Sequence, residues 1–449
     1  MEQLHIVLVP TMAHGHMIPA LDMAKLFASR GLKTTIISTP SFADSIERAR
    51  ESGHDIGLSI VDFPPEQSSL PDNIVSLDQV STPDLLPLFH EAMFLLQEPV
   101  EKLLQELNPN CLVSDTFFPW TVDSAAKLGI PRLVFHGISC QALCASAQMR
   151  IQKPCEGEDD DERVSKFKQQ MWVSDEKSYG VIINSFHELE SSYADYYKNI
   201  MGKKAWLIGP LVLCPNNNAG EREKLAQRGK ESSIDEHECL EWLDSKSPNS
   251  VVYLCFGSVV TFTQGQLHEI AAGLAASGQD FIWVIRRGKH EDETNKYVLP
   301  QEFEERMKRK GLIIKEWAPQ VMILDHPSIG AFMTHCGWNS TLEGICAGVP
   351  MVTWPAFGDQ FYNEKLVTKI LGTGVSVASK KWDRATSEGV TREAIKKAVR
   401  RVMVGEAAEE MRFRAKFYKE MARKAVEEGG SSYEALNALI DELSIYVPN

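Results

Sequence analysis

His16 and Asp115 are the residues on which a proton-transfer reaction could be built. His16 follows the apolar run Ile6–Val9 by a short turn, and Asp115 directly follows Cys111–Ser114. If both runs are strands of one parallel sheet, the two side chains stand at carboxyl ends, where doubly wound sheets collect ligands. A carboxylate beside a histidine orients the ring and stabilises the imidazolium formed when the other nitrogen takes a proton. A structural histidine and a helix-capping aspartate fit the same pattern. Ser258, after the Phe256-Gly257 turn, and His335, after Ile329–Thr334, occupy comparable places further along. The segment from His335 to Gly344 passes from a strand through a glycine turn into a helix. Backbone N–H groups at such a helix start can cradle phosphate oxygens, and Glu343 could accept from a ribose diol. An ordinary capped strand–helix turn is the alternative.

Other signals fail. Asp159-Asp160-Asp161 resembles an acidic metal-holding triplet but lies in a charged loop with no strand beside it. No G-x-S-x-G elbow exists, which counts against a serine hydrolase. The first turn, Pro10–His16, has one glycine where a nicotinamide dehydrogenase would carry G-x-G-x-x-G.

The elements that must position these residues alternate. Strands are expected at Ile6–Val9, Thr34–Ile37, Leu58–Val61, Cys111–Ser114, Arg132–Phe135, Val181–Asn184 and Trp206–Ile208, with Pro19 opening the first helix. Residues 214–238, with three consecutive asparagines and mixed charges, read as a linker. A second series follows at Val251–Phe256, Phe281–Ile285, Leu312–Ile314, Ile329–Thr334, Met351–Trp354 and Val375–Val377. The fold class is therefore α/β, with two Rossmann-like halves, 1–238 and 239–430. Two further helices are expected between Thr391 and Glu428. Ser431-Ser432-Tyr433-Glu434 has the capping-box pattern for a last helix, 431–449, expected to pack back on the first half.

At 449 residues the chain is long enough for two or three domains. Its net charge of −14 disfavours nucleic acid and anionic membranes as partners, since both require clustered cations. No apolar stretch is long enough to span a membrane, and the N-terminus lacks a basic leader. Nine cysteines without C-x-x-C spacing point to reduced, mostly buried thiols and a cytoplasmic location. A monomer is expected.

From Trp317-Ala318-Pro319-Gln320, through His335-Cys336-Gly337-Trp338-Asn339-Ser340, to Asp359-Gln360, 44 residues resemble the donor-binding box of the plant family 1 UDP-dependent glycosyltransferases. The likeness extends to the Gly15-His16 turn, Phe256-Gly257-Ser258 and the tail Gly429-Gly430-Ser431-Ser432. Within the family it is nearest the group that glycosylates flavonoids, terpenoids and hormones. The resemblance implies a GT-B fold with two Rossmann-like domains facing across a cleft. It also implies inverting, metal-independent transfer of glucose from UDP-glucose to a hydroxyl of a small lipophilic acceptor, with no cofactor. A non-catalytic nucleotide-sugar or small-molecule binder on the same scaffold is the alternative. The implied roles are as follows. His16 is the general base and Asp115 its partner; Trp317 stacks on uracil, Ala318 supplies backbone hydrogen bonds, and Gln320 and Glu343 reach the ribose. Ser258, His335, Asn339 and Ser340 meet the diphosphate, and Trp338, Asp359 and Gln360 the sugar. Glutamine at 360 tends to accompany glucose. Met17, Phe117, Phe118 and Trp120, near the His–Asp pair, are expected to line the acceptor site. Two departures stand out: His14 where relatives commonly have glutamine, and a short, acidic stretch between Cys155 and Ser178.

Overall fold

Most of the apolar runs become parallel strands that are buried on both faces, which leaves no advantage to polar alternation. In the computed structural model, residues 3–64, 66–80, 82–152, 162–213, 228–285, 299, 301–379, 385–386 and 389–447 are described. The chain divides into two compact units, Met1–Pro215 with Lys424–Asn449, and Asn216–Arg423. The acidic triplet 159–161 lies outside the described residues.

The first unit carries β1 (His5–Val9), β2 (Lys33–Ser38), β3 (Gly57–Ile60), β4 (Cys111–Asp115), β5 (Arg132–Phe135), β6 (Gly180–Ile183) and β7 (Ala205–Leu207). They form one parallel sheet in the order β3-β2-β1-β4-β5-β6-β7. Because β1 has β2 on one side and β4 on the other, strand order reverses between β1 and β4. The register there pairs Val9 with Ser114. Ile6, Leu8, Phe27, Ile36, Leu112 and Leu133 are all essentially inaccessible in the core around this sheet.

The first helix runs His14–Ser29 and contains Pro19, so it begins five residues before the expected start. Pro19 is the sixth residue of this helix, so it lies inside it and removes the N–H that would have bonded back to the Gly15 carbonyl. The consequence of the earlier start is functional: Gly15 and His16 lie in the first helical turn, not in a loop.

The second unit carries β8 (Val251–Cys255), β9 (Thr261–Phe262), β10 (Asp280–Ile285), β11 (Gly311–Lys315), β12 (Ile329–Thr334), β13 (Met351–Thr353), β14 (Gly374–Ser376) and β15 (Ala385–Thr386). Six form a parallel sheet ordered β11-β10-β8-β12-β13-β14, and β15 pairs with β9. Order reverses between β8 and β12, which pair Thr334 with Cys255. The two-residue strands β9 and β15 are too short to leave a periodic signal.

Helix Ser431–Ser444 belongs to the first unit, burying Leu436, Leu439 and Leu443 in its core. The expected capping box is not formed. The N-cap is Gly430, which has no side chain to cap with, and a Cβ there would lie 2.1 Å from the Lys424 carbonyl. The two serines bond elsewhere: Ser431 Oγ donates to Glu188 (2.7 Å) and Ser432 Oγ to the Gly209 carbonyl (2.5 Å). All seven described cysteines are unbridged, and six of them are buried. Among the described residues no helix is long and apolar enough to cross a membrane.

Candidate active site

The reversal point of the first sheet holds His16 and Asp115. Asp115 ends β4, and His16 stands in the first turn of the helix that follows β1. Their side chains meet with His16 Nδ1 2.5 Å from Asp115 Oδ2. A carboxylate only accepts, so Nδ1 carries the hydrogen and Nε2 is the ring nitrogen able to take a proton. Burial pushes the Asp115 carboxyl up, but the His16 charge, its hydrogen bond and the Phe117 N–H (3.0 Å to Oδ1) outweigh that and hold it below the usual aspartate range. Asp115 is thus an anion buried against one ring. Beneath it, Arg132 donates to the Asp115 carbonyl (3.2 Å), to Ser114 Oγ (2.8 Å) and to Ser178 Oγ (2.6 Å). Burial pulls this guanidinium down to about 10.

Of the residues expected to line an acceptor site, Phe117 lies against the His16 ring, with centroids 5.3 Å apart, and is partly exposed. The other three require correction. Phe118 has no accessible surface, and Met17 and Trp120 have 2% and 5%. They are core side chains, and Phe118 packs edge-on to Trp120. Apolar residues beside a strand end read alike from sequence whether they face inward or outward. Two residues not expected complete the aromatic surroundings. His90, on helix Leu85–Leu95, stacks on Phe167 at 3.9 Å, and both lie near Phe117. An apolar run from Leu85 to Leu96, interrupted by His90 and Glu91, was the available signal. His14 also has a carboxylate partner, Asp78, at 2.5 Å.

The reversal point of the second sheet holds a turn built for close approach. Between β12 and helix Trp338–Ala347 the chain passes through His335, Cys336 in the left-handed region (φ 64°) and Gly337 as N-cap. A Cβ on Gly337 would lie 2.4 Å from His335 Nε2, and one on Gly257 would lie 2.6 Å from the same ring. Gly257 also has φ 72°. The His335 ring therefore sits between two glycines, one after β8 and one after β12, and only glycine leaves it room. The helix start offers N–H groups without a capping side chain, an arrangement suited to an anion. Ser258, Asn339 and Ser340 are placed around this turn, in the residues that follow β8 and in the first turn of the helix.

A polar network extends from it. Gln320 Nε2 donates to Glu343 Oε2 (2.5 Å) and to Ser340 Oγ (3.2 Å), and Tyr253 donates to Gln320 Oε1 (3.2 Å). Arg228 pairs with the other Glu343 oxygen, Oε1. After β11, Glu316 adopts a left-handed conformation (φ 84°) and turns the chain into Trp317, Ala318 and helix Gln320–Leu324. A left-handed non-glycine residue costs about 1–2 kcal/mol, and Glu316 and Cys336 place two of them beside this site. The Trp317 carbonyl accepts from the Ser233 N–H and hydroxyl, both at 2.9 Å, which fixes the backbone of this half-buried residue.

Among the sugar-side residues, the Trp338 indole is buried. Gln360 is also buried, and its Oε1 accepts from the Ala356 N–H (2.8 Å) and Phe357 N–H (3.1 Å), which commits the oxygen to shaping the turn. Asn363, not expected, ties the region together: Nδ2 donates to Asp359 Oδ2 (2.7 Å) and to the Cys336 carbonyl (2.9 Å). Among the described residues no group of three or more His, Cys, Asp or Glu side chains is placed to hold a metal ion.

Comparison with known proteins gives consistent matches. A family model described as "UDP-glucoronosyl and UDP-glucosyl transferase" matches residues 224–413, and one described as "Glycosyltransferase, N-terminal domain" matches residues 2–213. The chain is 52% identical to a scopoletin glucosyltransferase of Nicotiana tabacum, over 99% of each chain. It is 49% identical to an anthocyanin 3'-O-beta-glucosyltransferase of Gentiana triflora, over the whole of both. Among solved structures it resembles Glycyrrhiza uralensis UGT73P12 in complex with glycyrrhetinic acid 3-O-monoglucuronide (TM-score 0.87, 37% identity, 99% and 96% of the chains). It also resembles Medicago truncatula UGT71G1 in complex with UDP-glucose (TM-score 0.80, 28% identity, 98% of each).

Proposed function

We propose, on the premise that this chain belongs to the plant family 1 UDP-dependent glycosyltransferases and is a UDP-glucosyltransferase of GT-B fold, that it transfers glucose with inversion and without a metal to a hydroxyl of a flat phenolic acceptor. The observation that carries this reading is the His16–Asp115 pair. Its geometry leaves Nε2 as the proton acceptor and sets a buried anion behind the ring. His16 takes the proton from the acceptor hydroxyl as that oxygen attacks the anomeric carbon. The bond to the diphosphate breaks on the opposite face, and UDP leaves. Attack opposite an α-linked leaving group gives a β-glucoside, in keeping with the product named for the Gentiana relative.

Donor binding is assigned to the second unit. Glu343 and Gln320 offer acceptors and donors to a ribose diol, Trp317 an aromatic face to uracil, and Ala318 backbone groups to its edge. His335, Ser258, Asn339, Ser340 and the start of helix Trp338–Ala347 meet the diphosphate charge. That concentration of donors supports a reaction that needs no bound cation to offset the leaving group. Asp359, held by Asn363, and the amide nitrogen of Gln360 are the groups assigned to the sugar. The acceptor class is supported by Phe117, partly exposed against the base, and by relatives named for scopoletin, anthocyanin and flavonoid substrates. The test is incubation with UDP-glucose and a panel of phenols in the presence of chelator, with products read by mass spectrometry and their anomeric configuration by NMR. β-Glucosides formed at undiminished rate are expected. No adduct and no UDP release would overturn the reading, and activity restored only by Mn²⁺ would overturn its metal-free part.

A further inference from the structure

The helix that carries His16 lacks a cap of its own. Its N-cap residue is Ala13, whose side chain cannot accept a hydrogen bond, and its first turn contains no acidic residue. The cap comes instead from a segment 64 residues away in sequence. Asp78 Oδ2 accepts from the His14 backbone N–H at 2.9 Å and faces the His14 ring nitrogen Nδ1 at 2.5 Å. Ser76 Oγ donates to the same oxygen (3.1 Å) and itself accepts from the Asp78 N–H (3.2 Å), holding the short 3₁₀ turn Leu77–Gln79 in place. The Leu77 N–H reaches the Met12 carbonyl at 2.8 Å, so the segment grips the turn after β1 on both sides of the helix start. Asp78 and His14 are nearly buried, with side chains 9% and 12% exposed. His16 comes two residues after the gripped position, and its own N–H bonds back to Ala13 (3.0 Å).

We propose that Asp78 is a positioning residue for the transfer reaction. By capping the helix start and holding the His14 ring, it fixes His16 at the angle from which Nε2 can take the acceptor proton while Nδ1 stays on Asp115. The proposal rests on the reading of His16 as general base. A structural contrast exists in the same unit. Glu190 caps helix Cys140–Gln152 in a similar way, accepting from the Cys140 N–H (3.1 Å) and Gln141 N–H (2.8 Å), but that helix bears no proposed catalytic group.

The two carboxylates make a paired experiment. Asp78→Ala, Asp78→Asn and Glu190→Gln are assayed with two acceptors that the wild-type chain glucosylates, one a weakly acidic phenol or alcohol and one a nitrophenol already ionised in the assay. A misplaced base slows only the acceptor that must lose its proton. Asp78→Ala is expected to lose roughly 10- to 100-fold in kcat on the weakly acidic acceptor, the order of cost for a small misplacement of a reacting group. It should lose no more than about threefold on the nitrophenol, with KM for UDP-glucose unchanged. Asp78→Asn, whose amide oxygen can still accept from the His14 N–H, should recover most of the loss. Glu190→Gln should slow both acceptors alike, if at all. If Asp78→Ala does not fold, His14→Gln replaces it and should show the same acceptor-selective loss at smaller size. Equal losses on both acceptors, or a loss appearing in KM for UDP-glucose, would overturn the role of Asp78 and leave the transferase reading standing. A wild-type chain that glucosylates neither acceptor would overturn both.

Discussion

The two sheets reverse strand order once each, and chemistry-bearing residues gather at both reversals, yet the two sites are made differently. At β1/β4 the essential contact joins two side chains 99 residues apart, His16 and Asp115, with a second carboxylate, Asp78, steadying the helix start. At β8/β12 the site is mainly one continuous stretch, His335 to Glu343, shaped by glycines and by a left-handed cysteine. A proton-transfer site needs a few groups at fixed angles. A site for a large anion needs many N–H groups and room for close approach. The first economy can be met by distant residues on rigid elements, whereas the second ties its residues into a contiguous motif.

Perturbing each reversal separately would sharpen or break this division. The largest effect belongs to the first: His16→Ala should lower transfer to a weakly acidic acceptor by about 10²–10⁴-fold, measured as single-turnover rate. Asp115→Asn should cost less than that, since it leaves the ring in place but removes the anion behind it; a loss exceeding that of His16→Ala would contradict its supporting role. At the second reversal, Glu343→Ala should weaken UDP binding by roughly 10- to 100-fold, the cost of losing hydrogen bonds to a charged acceptor at about 1.5–3 kcal/mol. Gly257→Ala, which forces a Cβ against His335, should raise KM for UDP-glucose about tenfold while leaving the acceptor selectivity of the base unchanged. Ser432→Ala, at neither reversal, should lower thermal stability by about 1–3 kcal/mol through the lost bond to the Gly209 carbonyl, with kcat per folded molecule unaltered.

This difference in construction also governed what could be read from the residues alone. The strands of both main sheets are legible because a buried parallel strand is a short apolar run between turn signals. The stretch His335 to Glu343 draws notice because it is contiguous. His16 and Asp115 stand out only as two candidates at strand ends, and nothing in their spacing says that they touch. Asp78 and Asn363 escape notice for the same reason, since a cap or a brace supplied from elsewhere leaves no local pattern. The start of the first helix is misplaced because Pro19 imitates a first-turn proline. Phe118 and Trp120 are misassigned because sequence distinguishes apolar from polar but not inward from outward. Gln360 shows a subtler limit: the residue type suggests a ligand contact, while its oxygen already serves the Ala356–Phe357 turn.

The division of labour between the two reversals is tested most directly by calorimetric titration of UDP into the His16→Ala variant. A dissociation constant within about twofold of the wild-type value, in a protein that has lost its transfer activity, is the expected result. A tenfold or greater weakening of UDP binding would contradict the assignment of donor binding to the second sheet and proton removal to the first.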